Sequence, residues 1–155
     1  MLYAAINLIS MNEQDKAYEY LMQSNKLLPD NFETLANLGK VLFFMGKFQD
    51  SKAFCIKALN IKQHSETQNI LGASLMALGE YNDALQIFLE LYDKNPNNIT
   101  IMISITKCYY NLKDYDNALT VANKILEILP ESEDAQKIIS QIETKKETKN
   151  ESDKE

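Results

Sequence analysis

The chain has 155 residues, of which 45% are hydrophobic and 25% charged, enough apolar material for one domain with its own core. The formal net charge is −6, and the 16 basic residues are all lysines. An acidic chain is a poor match for nucleic acids and anionic membranes, and without arginine it lacks the fork that best recognises carboxylates and phosphates. We therefore expect no nucleic-acid partner.

The sequence repeats itself at an interval of about 34 residues, a period typical of stacked helical pairs. The pair Leu-Gly at 38–39 returns at 71–72. The run Gly-Lys-Phe at 46–48 returns as Gly-Glu-Tyr at 79–81, and more loosely as Lys-Asp-Tyr at 113–115. This period predicts an all-α solenoid, in which each pair of helices buries its apolar face only against its neighbours.

Four repeats follow one another, each with two helices predicted from the apolar spacing. They span residues 1–31 (an incomplete repeat), 32–64, 65–98 and 99–132. The stretch Met1 to Met11 is apolar and uncharged, too short to cross a bilayer and without the basic leader of a signal peptide. We expect it to be helical and expect no membrane insertion.

The first helix lacks its start, because Met1 falls a few residues inside its repeat. Two explanations are open: the chain is cut from a longer protein, or another surface covers Leu2, Tyr3 and Ile6. The second explanation allows self-association through an open N-terminal end.

Turn and cap residues mark the predicted helix ends. Gly46 and Gly79 each follow a helical run, where a turn needs positive φ. Asp30, Ser65 and Asn98 stand at helix starts and are predicted to be N-caps. Three prolines, each after a helical run, stop the preceding helix: Pro29, Pro96 and Pro130.

The C-terminal part is predicted to close the solenoid. Residues 131–143 form one more amphipathic helix, with an apolar face made of Ala135, Ile138, Ile139 and Ile142. Residues 144–155 are all charged or polar, so we expect a disordered tail. The folded domain is accordingly predicted over residues 1–143.

The two cysteines, Cys55 and Cys108, lie in separate apolar helical segments, where we expect buried free thiols. They offer no metal-binding spacing and no disulfide framework. The expected compartment is therefore the cytoplasm, or the periplasm or a membrane-attached position if the chain is part of a longer protein. The abundance of Asn, Lys and Ile fits an AT-rich genome, and we expect a bacterial source.

The repeats resemble the tetratricopeptide repeat, whose pattern places Leu-Gly in the first helix, Gly at the turn, an aromatic after it, and Ala and Pro along and after the second helix. The second repeat carries this pattern at Leu35, Leu38, Gly39, Leu42, Gly46, Phe48, Ser51, Cys55, Ala58 and Gln63. The third carries it at Gln68, Leu71, Gly72, Leu75, Gly79, Tyr81, Ala84, Phe88, Leu91 and Pro96. The fourth carries it at Met102, Ile105, Thr106, Tyr109, Lys113, Tyr115, Ala118, Ala122, Ile125 and Pro130. Five of these positions depart from the family's usual residue: Ser51, Cys55, Gln63, Thr106 and Lys113. The resemblance covers about residues 1 to 132 and implies a right-handed α-α superhelix with a C-terminal capping helix.

No constellation for catalysis stands out in the sequence. The only histidine, His64, lies in a predicted loop and is interpreted as a solvated loop residue. The four glycines are spread over two repeats and make no phosphate-binding loop. Glu131, Glu133 and Asp134 cluster at a helix start, where the helix dipole accounts for them. We therefore expect no enzyme, no cofactor and no metal site.

The resemblance implies that the concave groove, lined by the first helix of each repeat, is the functional surface. Carried over residue by residue, the predicted groove comprises Glu33, Asn37, Lys40, Phe43, Phe44, Glu66, Asn69, Ile70, Ala73, Met76, Ala77, Ser104, Lys107, Tyr110 and Asn111. Two interpretations remain open. The apolar members are core, or they form an apolar floor for a peptide whose backbone bonds Asn37 and Asn69.

One subclass of the family is disfavoured by the residues themselves. Co-chaperones that resemble these repeats hold an acidic chain end with lysines and asparagines at fixed groove positions. Here Ala36 stands where the first lysine belongs, and Glu66 and Ile70 occupy the other basic places. The carboxylate clamp is missing.

The resemblance implies a protein–protein interaction scaffold or adaptor that binds a peptide or protein segment in the groove. Two alternatives come from other classes. One is a secretion chaperone similar to the type III class II chaperones, and the other is a self-assembling structural protein. The partner itself is not encoded in any feature of this sequence.

Overall fold

The computed structural model describes residue 8 and residues 13–152. The predicted helix over Met1 to Met11 therefore lies outside the described residues, apart from Leu8. The prediction of an all-α chain is confirmed, because residues 13–152 form eight helices in consecutive pairs. In chain order these are α1 (Gln14–Leu27), α2 (Phe32–Phe44), α3 (Phe48–Ile61), α4 (Ser65–Ala77), α5 (Tyr81–Lys94), α6 (Ile99–Asn111), α7 (Tyr115–Ile128) and α8 (Glu133–Ser152).

The repeat shows in the helix lengths. The first helices of the second, third and fourth repeats, α2, α4 and α6, have 13 residues each. The second helices, α1, α3, α5 and α7, have 14 residues each. The chain divides into two compact parts, the N-terminal unit Met1–Glu80 and the C-terminal unit Tyr81–Glu155, which are described separately below.

The N-terminal unit is built on side chains that α1 and α2 bury against each other. Its main cluster consists of Ala17, Leu21, Leu38, Val41 and Leu42, all at most 1% exposed. Leu8, Tyr18, Met22, Met45 and Phe54 pack around it. Because Ala17 and Leu21 are one turn apart, they present a single apolar stripe of α1 to the neighbouring helix.

The C-terminal unit has a core to which the last helix contributes directly. One cluster contains Met102, Ala122, Ile125 and Ala135, and a second contains Ala118, Ile138 and Ile142. The apolar face predicted for residues 131–143 is thus packed onto α6 and α7, and it buries Ala135, Ile138 and Ile142.

The last helix is longer than predicted. It runs through Ser152, so the predicted helix end at residue 143 is wrong, and residues 144–152 are helical where disorder was expected. Lys and Glu are good helix formers, and they extend a helix whose nucleus the buried residues up to Ile142 already provide. The expectation for residues 153–155 lies outside the described part of the chain.

The turns between paired helices share one backbone pattern. Gly46 and Gly79 have φ values of 74° and 79°, as predicted for these two positions. Lys113 takes the same place in the fourth repeat with φ 63°, although it is not glycine. In each turn the next residue donates its N–H to a carbonyl five residues earlier, for example Lys47 to Leu42 at 2.9 Å and Asp114 to Tyr109 at 2.9 Å. These bonds satisfy carbonyls at the end of the first helix.

Of the three predicted N-cap residues, Asn98 is confirmed, whereas Asp30 and Ser65 are wrong. Asn98 caps α6, because its Oδ1 accepts a hydrogen bond from the Ile101 N–H at 3.2 Å. Asp30 does not cap α2, since it lies in the left-handed region (φ 60°), and Asn31 accepts the Thr34 N–H at 2.9 Å instead. Ser65 is the first residue of α4 itself, with His64 in the N-cap position.

Backbone and side chain come close together between α2 and α3 in the N-terminal unit. A Cβ placed on Gly39 would lie 2.4 Å from the Cys55 Sγ. Ser51, on the same face of α3, donates its hydroxyl to the Gly39 carbonyl at 2.8 Å. Both cysteines are buried and free as predicted, and burial raises the pKa of Cys55 to about 11 and that of Cys108 to about 12.

Gly39→Ala should destabilise the protein by about 1–2 kcal/mol, because overpacking of about 1–3 kcal/mol exceeds the gain of up to about 1 kcal/mol in helix propensity. Cys55→Ala removes the clashing sulfur, so the double variant should lose less stability than the sum of the two single variants. A double-mutant cycle from denaturant unfolding measures this coupling. Strictly additive losses would contradict the close contact.

Truncation separates the two parts of α8. Removal of residues 144–155 should cost less than about 1 kcal/mol, because the described side chains beyond residue 143 are exposed and make only surface contacts. Removal of residues 131–155 should cost about 3–6 kcal/mol, since it takes away Ile138 and Ile142 and uncovers the core beneath them. Thermal unfolding of both truncated chains checks the contrast, and similar losses would contradict it.

Candidate functional site

An open cleft of ≈ 280 Å³ lies between α2 and α4 in the N-terminal unit. It is lined by Phe32, Glu33, Ala36, Asn37, Lys40, Lys62, His64, Glu66, Thr67 and Ile70. Five predicted groove residues meet here: Glu33, Asn37, Lys40, Glu66 and Ile70. The first helices of two successive repeats therefore form its walls, and the linker between α3 and α4 closes one end.

Helical spacing explains why these side chains share the cleft. Glu33, Asn37 and Lys40 follow one another at four and three residues, so they lie on a single face of α2. Glu66 and Ile70 stand in the same relation on α4. The Asn37 amide donates to the Glu33 carbonyl at 2.7 Å, which fixes the side chain along its own helix.

An ion pair crosses the cleft from one helix to the other. The Lys40 Nζ lies 2.6 Å from the Glu66 Oε1. The hydrogen bond from the Lys40 ammonium holds the pKa of Glu66 below its ordinary value of 4.5. Both side chains are partly exposed, 33% for Lys40 and 57% for Glu66, so solvent screens the pair and its main effect is to fix the two side chains in place.

The linker end of the cleft is formed by His64 and Lys62 together with Phe32 of α2. The ring of His64 meets the Phe32 ring edge-on at 5.5 Å, and the Lys62 Nζ lies 5.3 Å above the same Phe32 ring. The His64 Nδ1 is 3.1 Å from the Thr67 hydroxyl oxygen. His64 lies in the loop between α3 and α4, as predicted, but it is half-buried in the wall of the cleft and not simply solvated.

Of the other five lining residues, Ala36 was placed at a groove position by the resemblance, and four were missed from the sequence: Phe32, Lys62, His64 and Thr67. Phe32 carries a signal that was available, since it precedes Ala36 by one helical turn and so shares the groove face of α2. Lys62 and His64 carry no such signal, because their approach to Phe32 depends on the path of the linker between α3 and α4.

The remaining predicted residues of the N-terminal unit lie outside this cleft. Phe43 is half-buried, with ring distances of 5.6 Å to Phe44 and 5.7 Å to Phe48. Phe44 is 54% exposed. On α4, the predicted residues are half-buried or, for the last, exposed: Asn69, Ala73, Met76 and Ala77. Of the two phenylalanines, Phe44 is the side chain that is open to a ligand.

In the C-terminal unit, two of the predicted groove residues of α6, Lys107 and Tyr110, contact the last helix. The Lys107 Nζ lies 2.9 Å from the Asp134 Oδ1. Tyr110 packs beside Ile138 and Ile142 and contacts the ring of Tyr115 at 5.9 Å. The α6 face is therefore covered in part by the chain's own C-terminal helix.

Two further predicted residues of α6 bond within their helix. The Ser104 hydroxyl donates to the Thr100 carbonyl at 3.1 Å, and the Asn111 amide donates to the Lys107 carbonyl at 2.7 Å. The latter bond repeats that of Asn37, so both amides take the same local geometry.

The two units repeat one ion pair. Lys40 and Lys107 occupy equivalent places in α2 and α6, and each bonds an acidic residue in the first turn of the next first helix, Glu66 or Asp134. By this criterion α8 takes the place that α4 has in the N-terminal unit.

Within residue 8 and residues 13–152, no helix is both long and apolar enough to cross a bilayer. In the same part of the chain, no group of three or more His, Cys, Asp or Glu side chains is arranged to hold a metal ion.

Paired helices of 13 and 14 residues, joined by left-handed turns, define a helical-pair repeat protein. Two family models, both described as tetratricopeptide repeat, match residues 33–65 and 75–142. The chain belongs to the tetratricopeptide repeat family. Repeats of this family generally mediate protein–protein interactions, and its proteins are typically non-enzymatic scaffolds.

Curated relatives are similar over most of this chain but much longer. The TPR repeat-containing protein MJ1428 of Methanocaldococcus jannaschii is 26% identical over 140 residues, which make up 90% of this chain and 24% of that protein. The BBSome complex member BBS4 of Bos taurus is 23% identical over 114 residues, 74% of this chain and 22% of that protein. The chain spans about a quarter of the length of these relatives.

Solved structures share the fold. YrrB, a TPR protein with an unusual peptide-binding site, matches with a TM-score of 0.82 and 22% identity over 92% of this chain and 74% of that one. MamA 41-end from Desulfovibrio magneticus RS-1 matches with a TM-score of 0.86 and 16% identity over 94% of this chain and 82% of that one.

The cleft ion pair predicts a titration that depends on Lys40. Because the folded-state pKa of Glu66 is lowered, the pair contributes its stabilisation above pH 4.5 and loses it as the pH falls through the folded-state pKa. NMR titration of the Glu66 carboxyl should give a midpoint below 4.5, and Lys40→Ala should move it back toward that value. A midpoint unchanged by Lys40→Ala would contradict the pairing.

Proposed function

We propose that this chain is a scaffold or adaptor that binds a segment of another protein along α2 and α4 of the N-terminal unit. The observation that carries the proposal is the open cleft, in which five residues predicted for a binding groove lie together. The exposed ring of Phe44, one turn beyond Lys40 on α2, extends the same face past the cleft.

The chemistry of the lining favours an apolar or mixed peptide segment. Lys40 and Lys62 balance Glu33 and Glu66, so the charged groups give no strong preference for either sign. Phe32, Ala36 and Ile70 supply apolar surface, and Asn37 supplies an amide for a peptide backbone. An acidic chain end is disfavoured, because Ala36 and Ile70 stand where a carboxylate clamp needs polar or basic groups.

The comparisons are consistent with binding without catalysis. YrrB has a peptide-binding site and BBS4 is a member of a complex, so relatives and structural neighbours of this chain include proteins that engage others. A bacterial source, a cytoplasmic location and the absence of enzymatic activity remain parts of the proposal and rest on the sequence features described above.

Two alternatives give different outcomes in solution. A self-assembling protein would increase in mass with concentration in the absence of any partner. A secretion chaperone would bind one extended apolar client segment. Sedimentation of the pure chain separates the first alternative from the adaptor, and the identity of the bound segments separates the second.

Phe44→Ser should weaken binding of a selected peptide by about 1–4 kcal/mol if the ring anchors it. Asn37→Ala should weaken binding by about 1 kcal/mol through the loss of one amide. Peptides chosen from a random display library, followed by calorimetric titration of each variant, provide the measurement. Apolar anchoring should also leave the affinity nearly unchanged between low and high salt.

Controls distinguish binding from folding. Ile56→Ser replaces a comparably exposed side chain, 41% against 54% for Phe44, on α3, outside the lining of the cleft, and should leave the affinity unchanged. Phe88→Ala removes a side chain that is 1% exposed and should lower stability by about 3–5 kcal/mol. A partner that is strongly salt-sensitive and indifferent to Phe44 and Asn37 would overturn the assignment.

A further inference from the structure

A second surface with a specific chemistry lies where α6 ends and α7 begins. The rings of Tyr110 and Tyr115 approach to 5.9 Å with a tilt of 53°, and both side chains are half-buried. Asp116 follows directly, with its side chain 94% exposed. We call these three residues the tyrosine patch. It combines two π faces with a carboxylate, a combination that attracts cations.

The tyrosine patch already holds a cation supplied by the chain itself. The Lys145 Nζ of α8 lies 4.6 Å from the centre of the Tyr110 ring and 5.8 Å from that of Tyr115. The next residue, Lys146, places its Nζ 3.2 Å from the Asp116 Oδ1. Two adjacent lysines therefore occupy the patch together, one on the rings and one on the carboxylate.

The lysine pair is held only by surface contacts. The last buried side chain of α8 is Ile142 among the residues whose side chains the structure describes, and residues 143–146 are all exposed. Exposed cation–π contacts and exposed ion pairs are weak individually. Lys145 and Lys146 can therefore leave the patch while Ala135, Ile138 and Ile142 keep the first half of α8 on the core.

We propose that the tyrosine patch is a docking surface for a protein segment that carries two adjacent basic residues, and that Lys145 and Lys146 occupy it in its absence. Charge complementarity supports this occupant, because the carboxylate of Asp116 and the net charge of −6 attract a cationic segment. The patch lies in the C-terminal unit, so the proposal stands independently of the cleft between α2 and α4.

The test compares the full chain with the variant Lys145→Ala/Lys146→Ala. The probe is a capped ten-residue peptide with one Lys-Lys pair in a Ser/Gly background, and its controls carry Glu-Glu or Ala-Ala instead. Removal of the internal competitor should tighten binding of the Lys-Lys peptide by roughly three- to tenfold. NMR shifts of the Tyr110 and Tyr115 rings should report the same binding event, and the control peptides should leave those rings unshifted.

Matched variants make the outcome decisive. Lys137→Ala replaces an exposed lysine on the same helix and should leave the affinity unchanged. Asp116→Asn, placed in the Lys145→Ala/Lys146→Ala background, should weaken the Lys-Lys peptide by roughly two- to fivefold, and the exposure of Asp116 keeps the fold out of the result. Equal affinity of the full chain and the double-lysine variant, equal binding of all three peptides, or unshifted tyrosine rings would overturn the proposal.

Discussion

The structure depends on the close approach of paired helices, α2 and α3 in the N-terminal unit and α6 and α7 in the C-terminal unit. Small residues recur at one place in the second helix of each repeat, Ala17, Ser51, Ala84 and Ala118, and all four are fully buried. In the N-terminal unit the partner position is Gly39, whose missing side chain leaves room for Cys55. Large side chains at these points would separate the helices, and the leucines and isoleucines around them would lose their contacts.

Close pairing also decides which residues remain for function. One face of each first helix packs against a second helix, which leaves another face of the first helix free. In the N-terminal unit the free faces of α2 and α4 line the cleft. The same logic gives a different result in the C-terminal unit, where α8 packs onto α6 and α7 and takes up the contacts of Lys107 and Tyr110. One repeat pattern thus produces an open surface in one unit and a partly occupied surface in the other.

The sequence period predicts the helical pairs and the turns at Gly46 and Gly79, because a fixed interval of small and apolar residues leaves little freedom in the packing. The cap of α2 was harder to predict, since Asp30 and Asn31 are adjacent and equally suited to capping, and the left-handed conformation of Asp30 decides between them. The wall formed by Phe32 and His64 depends on tertiary proximity between residues 32 positions apart, which no local pattern reports. The length of α8 was underestimated because the polar composition of residues 144–155 was taken to indicate disorder. A polar segment can continue a helix when buried residues, here up to Ile142, hold the start of that helix on the core.

Lys113 has a consequence for dynamics. It adopts the left-handed conformation that glycine supplies in the two preceding turns, and a side chain in this region costs about 1 kcal/mol. The α6–α7 turn therefore carries conformational strain that the α2–α3 turn lacks. Native-state hydrogen exchange should accordingly be faster for the amides of Lys113 and Asp114 than for those of Gly46 and Lys47, because strain lowers the free energy of local opening. The strained turn at Lys113 lies between Tyr110 and Tyr115, the two rings of the tyrosine patch.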